Sequence, residues 1–338
     1  MPIKIKTVFI IINFFILIFI TLLHAYSNEE DNKLTLAYIS DLNLTPTPFI
    51  SQRIKHKLEK ENGLLVYESQ AIFQDIVKYL NQKIDPDLIV FGGNNISPAI
   101  NEHDSGESIW NLFLDMASEI KAVYLVALGQ NEIKSQSRAG LSQMLKLFGQ
   151  EVNNTWWSYK FNQYLILGLD GEIIFTNEKL SKFQLKWLDE ILTKNKSLKT
   201  LVFVHKPLIK PDYEVIENRQ AVELFNTFNK NPQVVLLVSG GEYLNRIKTV
   251  NNLVYVLSPS PIAYPCSFKV IEITSKTLKI NTINIPLKGV IKKAEQFLLE
   301  SDRAKLLFPD SVKSIKQYVM GKRSDRALQI DFADLSNR

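Results

Sequence analysis

Five short clusters of polar and glycine residues recur along the chain: Asp41-Leu42-Asn43, Gly93-Asn94-Asn95, Gly129-Gln130-Asn131-Glu132, His205-Lys206-Pro207 and Ser239-Gly240-Gly241-Glu242-Tyr243. Asp41 and His205 are a carboxylate and an imidazole, side chains that hold divalent cations and carry protons. Glu132 and Glu242 add carboxylates, and Lys206 adds a cation suited to an anionic ligand. Asn43, Asn94, Gln130 and Asn131 are amides, which offer an oxygen to a hard cation but deliver no proton near neutral pH. Each residue also has a plainer reading. Asp41 suits a turn-capping acceptor, His205 a bond to Asp41 or to backbone, and Glu132 and Glu242 solvated turn positions.

Apolar and helical patterns along the chain would position these residues. Apolar runs at Leu34 to Ile39, Leu88 to Phe91, Val123 to Ala127, Tyr164 to Leu169, Thr200 to Val204 and Val234 to Val238 read as strands, each ending near a polar or glycine-rich turn. Helical spacing between them places Ile72, Phe73, Ile76, Val77 and Leu80 on one face. A second helix is expected to begin at Ser181, with Ser181 and Gln184 as a capping box ahead of Trp187, Leu188, Ile191 and Leu192. This alternation indicates an α/β fold, in which sites assemble at the carboxyl ends of strands. From Leu253 to Pro286 the pattern predicts a strand meander closing a second sheet. Beyond Leu287 the chain is expected to form a helical appendix over 288–338, with Ile291, Ala294, Phe297 and Leu298 on one face and Val312, Ile315 and Val319 on another.

The ordered clusters resemble the motifs of calcineurin-like metallophosphoesterases, which run D-x-H, G-D, G-N-H-E/D, a lone H often followed by x-P, and G-H-x-H. Leu36-Ala37-Tyr38-Ile39-Ser40-Asp41 resembles that family's first strand, Asp87 to Asn94 its second motif, and Phe203-Val204-His205-Lys206-Pro207-Leu208 its fourth. Trp157 to Asp170, Leu180 to Leu192 and Ser258 to Pro265 resemble its intervening and following elements, so the likeness spans roughly residues 34–285 and implies a phosphoesterase domain over 34–287. It implies a four-layer αββα sandwich of two mixed sheets flanked by helices.

The resemblance also implies a two-metal site, and here most ligands are replaced. One metal would be held by Asp41, Asn43, Asn94 and Tyr243, the other by Asn94, Gln130, His205 and Gly241, so only Asp41 and His205 keep the family's residue types. The bridging aspartate is Asn94, and the imidazole that assists the leaving group is Asn131. Two dications about 3.5 Å apart repel by about 19 kcal/mol at an effective dielectric of about 20, which anionic ligands must offset. A neutral bridge and a side-chain-less Gly241 do not. The implied protein therefore holds no resident metal, or, if active, a manganese, iron or zinc ion in an altered, single-metal site using Asp41 and His205 with a relocated carboxylate such as Glu242.

Composition sets the remaining bounds. With 338 residues, 46% apolar, the chain can bury a large core, and a net charge of +5 without an arginine-rich block argues against nucleic acid as partner. Lys4 and Lys6 precede an apolar run from Thr7 to Leu23, and Ala25 and Ser27 occupy the −3 and −1 positions of a cut after Ser27. Residues 1–27 are thus expected to be a signal peptide or an N-terminal membrane anchor, with the main domain exported and membrane contact only through that segment if it is uncleaved. Cys266 is the single cysteine, so no intramolecular disulfide forms. A polar loop, Asn101-Glu102-His103-Asp104, adds an imidazole that could reach the cleft. The expected function is a ligand- or partner-binding protein, its partner a protein or a phosphate-containing ligand. The alternative is an active phosphohydrolase.

Overall fold

The computed structural model describes residues 33–46, 52–98, 106–211, 214 and 216–335; the expected leader 1–27 and His103 lie outside them. Among the described residues thirteen strands form two mixed sheets: β1 Leu34–Ile39, β2 Leu88–Phe91, β3 Val123–Val126, β4 Glu151–Asn153, β5 Trp156–Phe161, β6 Tyr164–Leu169, β7 Lys199–Val204, β8 Val234–Ser239, β9 Arg246–Val250, β10 Leu253–Leu257, β11 Ser267–Ile273, β12 Thr277–Asn284 and β13 Ala327–Asp331. The first sheet has the order β13-β12-β11-β1-β2-β3 and the second β4-β5-β6-β7-β8-β10-β9. The interior strands β2, β6 and β8 are buried at every residue, because both faces are covered.

The sheets meet face to face. Tyr38 on β1 stacks on Phe203 on β7 with ring centroids 5.5 Å apart, and the Tyr164 hydroxyl donates to the Ile273 carbonyl at 3.1 Å. The Trp157 indole N–H donates to the Val126 carbonyl at 2.9 Å, satisfying a buried donor across the same interface. Helices cover the outer faces: α1 Ser69–Tyr79 and α2 Gly106–Ala117 on the first sheet, α5 Glu178–Lys194 and α6 Arg219–Lys230 on the second, with α3 Gln130–Ser135 and α4 Arg138–Leu147 between them in sequence. Phe73 of α1, Phe113 of α2 and Phe91 of β2 form one aromatic cluster with centroids 5.0 to 5.8 Å apart. This is the four-layer sandwich expected above.

Three local expectations change. Asn177, whose side chain accepts from the Leu180 N–H, caps α5; Ser181 lies inside the helix, and Gln184 instead brackets Asp170 by accepting from its N–H at 2.8 Å and donating to its carbonyl at 3.3 Å. The expected meander divides: β10 pairs with β8 and β9 in the second sheet, whereas β11 and β12 join the first. The C-terminal segment forms α7 Lys288–Glu300, α8 Asp302–Leu307, α9 Ser314–Met320 and α10 Arg323–Arg326, but it also supplies β13, antiparallel to β12. Five residues of alternating pattern were too short to stand out from flanking helical spacing. Among the described residues no helix is long and apolar enough to cross a membrane.

Candidate functional site: a sealed ligand frame

All five clusters follow the carboxyl ends of β1, β2, β3, β7 and β8 and converge at one end of the sandwich. Asp41, Asn43, Asn94 and Tyr243 all adopt left-handed backbone, with φ of 61°, 41°, 47° and 51°. Such a conformation costs an L residue roughly 1–2 kcal/mol and persists only where its surroundings over-determine it. The same strained backbone thus recurs at four of the positions that the resemblance assigns to metal ligands. Close packing maintains it: a Cβ on Gly129 would lie 2.5 Å from the Asn94 nitrogen, and one on Gly240 would lie 1.9 Å from the Ser40 hydroxyl.

Asp41 has no exposed surface, and protein donors surround its carboxylate. Oδ2 accepts from the Ser40 hydroxyl and from the Gly241 N–H, both at 2.8 Å. Oδ1 accepts from Asn94 Nδ2 at 3.4 Å and faces His205 Nε2 at 3.6 Å, an ion-pair contact rather than a hydrogen bond. The Asp41 carbonyl accepts from Ser260 Oγ at 2.8 Å. Gly241 has no side chain to offer a metal, but its backbone N–H takes up the carboxylate that a metal would otherwise neutralise.

The amides close a hydrogen-bonded ring around this acid. Asn94 donates to Asp41; its own Oδ1 accepts from the Asn131 backbone N–H at 3.1 Å; Asn131 Nδ2 donates to Asn43 Oδ1 at 3.0 Å; and Asn43 Nδ2 donates to the Asp41 carbonyl at 3.3 Å. Two backbone groups fix the amide orientations. The Asn131 N–H can only donate, so Asn94 must present its oxygen there, and the Ile96 carbonyl can only accept, which sets Asn131 Nδ2 at 2.9 Å from it. Asn43 and Asn131 are buried, so this ring is largely shut off from water.

The other predicted residues separate. His205 is buried and its Nδ1 lies 2.8 Å from the Gly92 carbonyl, so Nδ1 carries the proton and Nε2 points at Asp41. Glu132 clamps rather than ligates: its buried carboxylate accepts from the backbone N–H groups of Asn94, Asn95, Ile96 and Gly129 at 2.6 to 3.3 Å. Burial pushes its pKa up, while His205 and the backbone donors pull it down. Gln130 is exposed and outside the ring. Lys206 turns to Glu172, 3.9 Å away, and lies over the Phe175 ring, so its cation is engaged there. Glu242 is partly buried, and burial raises its pKa, opposed by Arg303 and reinforced by Asp41.

Sequence reasoning missed Ser40, Ser260 and Arg303. Arg303, from α8, donates to the Glu242 carbonyl at 2.7 Å, and its guanidinium sits 5.5 Å from the centre of the Tyr243 ring, laying the C-terminal segment over the last motif. Ser40 and Ser260 adjoin recognised segments and could have been read as supports for Asp41. For Arg303, 60 residues beyond Tyr243, no local signal exists.

The donor set does not fit two metals. The bridge position is a neutral amide already hydrogen-bonded on both sides, Gly241 contributes no ligand, and Tyr243 carries a phenol whose pKa burial raises further. Asp41 Oδ1 and His205 Nε2 are spaced like two ligands of one ion, yet among the described residues no group of three or more His, Cys, Asp or Glu side chains is placed to hold a metal. Glu242 does not complete such a group.

No protein-family model matches the chain. A relative, "Probable glycerophosphodiester phosphodiesterase GpdQ" of Arcobacter nitrofigilis, is 25% identical over 215 residues, which is 60% of this chain and 74% of that protein. Among solved structures, a dimetal phosphatase from Danio rerio aligns with a TM-score of 0.58 at 14% identity over 74% of this chain and 95% of that one. GAP50, the anchor in the inner membrane complex of Plasmodium, aligns with a TM-score of 0.52 at 12% identity over 77% and 87%. Motif order, the two-sheet sandwich and the phosphodiesterase relative agree: the chain has the calcineurin-like metallophosphoesterase fold and is similar to members of that family.

Proposed function

We propose that this chain is an exported, phosphoesterase-fold binding protein without two-metal hydrolytic activity, its partner a protein or a phosphate-containing ligand. One observation carries the reading: the Asp41 carboxylate, the surviving acid of the first motif, is satisfied by Ser40, Gly241 and Asn94 and needs no cation. Amide replacements support it, because carboxylates clustered without metal would repel and raise one another's pKa, whereas amides donate and accept around the ring. The leaving-group imidazole is also absent, and Asn131 spends its donors on Asn43 and Ile96. Export rests on the pattern of residues 1–27.

The similar fold accompanies a dimetal phosphatase in Danio rerio and an anchor in Plasmodium. The phosphodiesterase relative favours the alternative, an altered single-metal hydrolase. Purified protein incubated with manganese, zinc or iron and then desalted is expected to retain less than one ion per chain. Its rate on a generic phosphodiester is expected to equal those of Asp41→Ala and His205→Ala. Two retained ions, or turnover abolished by both substitutions, overturns the proposal.

A further inference from the structure

The C-terminal segment holds a basic hollow of about 800 Å³, its rim formed by Lys313, Lys316, Lys322, Arg323 and Arg326. Glu295 also lines it, but that carboxylate is already paired with Lys316. Among the described residues, no acidic side chain pairs with Lys313, Lys322, Arg323 or Arg326, and all four are exposed. Leu299 and Met320 give the hollow an apolar patch. Surface cations are ordinarily solvated singly or matched by nearby acids. Four unmatched cations around one concavity differ from that pattern, and the volume lies in the range of about 300–1,000 Å³ typical of small-molecule sites.

The segment that carries three of these cations, Lys322 and the short helix α10, is anchored by buried groups. Asp325, itself buried, accepts from the Lys322 N–H at 2.7 Å and from the Ile247 N–H at 3.2 Å. Its carbonyl accepts at 3.0 Å from Lys269, a lysine with no exposed surface that also reaches Thr282 at 2.9 Å. Gly321, at φ 65°, approaches so closely that a Cβ would lie 2.3 Å from the Asn245 carbonyl oxygen. The buried network thus fixes the main chain of the segment between Met320 and Arg326, from which its cations project. Pre-positioning of this kind lowers the ordering cost of binding.

We infer that this hollow is a binding site for a small ligand bearing at least two negative charges of phosphate type, either free in solution or as the headgroup of an anionic lipid. Arg323 and Arg326 supply forked donors that match phosphate oxygens, Lys313 and Lys322 supply point charges, and Leu299 and Met320 accept an adjoining apolar group. The site is remote in sequence from the five motifs and does not depend on whether the cleft hydrolyses anything.

The test uses the full chain at about 0.15 M salt, where a diffuse attraction is screened beyond about 8 Å. Calorimetric titration with inorganic pyrophosphate forms one arm, and co-flotation with phosphatidylglycerol vesicles against phosphatidylcholine vesicles forms the other. Saturable binding of pyrophosphate that weakens tenfold or more in Arg323→Ala/Arg326→Ala supports a soluble ligand. Flotation with the anionic vesicles alone, lost in the same variant, supports a headgroup. Thermal melting of the variant confirms that it is folded. A control, Lys196→Ala/Lys230→Ala, alters a second basic hollow beside β7 and β8. Binding in neither arm, binding unchanged in Arg323→Ala/Arg326→Ala, or loss in the control alone overturns the inference.

Discussion

The Gly241 backbone N–H donates to Asp41 Oδ2 at 2.8 Å across 200 residues of sequence, so a residue without a side chain serves the buried acid. Left-handed backbone at Asp41, Asn43 and Asn94 accompanies a ring of hydrogen bonds among their side chains and main chain. Buried donors and acceptors left unpaired cost about 1–3 kcal/mol each, so the ring is sensitive to single substitutions.

Asn94→Asp tests the ring directly. The change removes the donor to Asp41 and sets a second carboxylate beside it without a cation. The protein is expected to lose about 1–3 kcal/mol of stability at pH 7, as the new repulsion adds to a lost hydrogen bond. The loss should shrink toward pH 4, where one acid of the pair is protonated. Chemical denaturation at the two pH values measures it, and an equal loss at both counts against the repulsion argument.

Glu132→Gln separates clamp from ligand. A glutamine offers one acceptor oxygen to four backbone N–H groups and turns its own NH2 toward some of them. Destabilisation of about 2–4 kcal/mol is expected, from two or more orphaned donors. Amide hydrogen exchange should accelerate first at Asn94, Asn95, Ile96 and Gly129. Unchanged exchange at these amides would show that Glu132 does not hold the turns.

Lys269 gives a pH signature outside the cleft. Burial lowers its pKa to about 7, against the opposing pull of Asp325. In the unfolded chain the ordinary lysine value of about 10.4 applies. Between pH 7 and 10 the unfolded chain therefore binds more protons than the folded one, and stability from this group rises with pH. Below pH 7 both states are protonated and the burial penalty is fully present. Wild type is expected to gain stability relative to Lys269→Met as pH rises from 7 to 10. A constant difference over that window would place the lysine pKa elsewhere.

The leader makes a mass prediction. If Lys4, Lys6 and the Thr7 to Leu23 run form a cleaved signal peptide, the protein recovered outside the cytoplasm begins at Asn28. Intact-mass measurement of the exported form checks it. A full-length mass in the membrane fraction indicates the anchor instead.

The sequence by itself determined the order of the motifs, the strands that carry them and the presence of amides at 94 and 131, because each turn follows an apolar run that periodicity reveals. It also showed that amides cluster in these turns, although not what they bind. Only the tertiary structure decided that Asn43, Asn94 and Asn131 form one ring, since their bonds join residues 37 to 88 positions apart. The same holds for the Gly241 N–H, a group that every non-proline residue carries and whose partner depends on where the chain folds. Glu132 illustrates the difference most plainly: a turn carboxylate in the sequence, it becomes a four-amide clamp only once β2 and β3 lie side by side. β13 and Arg303 were hidden for a related reason, because a short edge strand and a single capping cation acquire meaning only from the surfaces they meet.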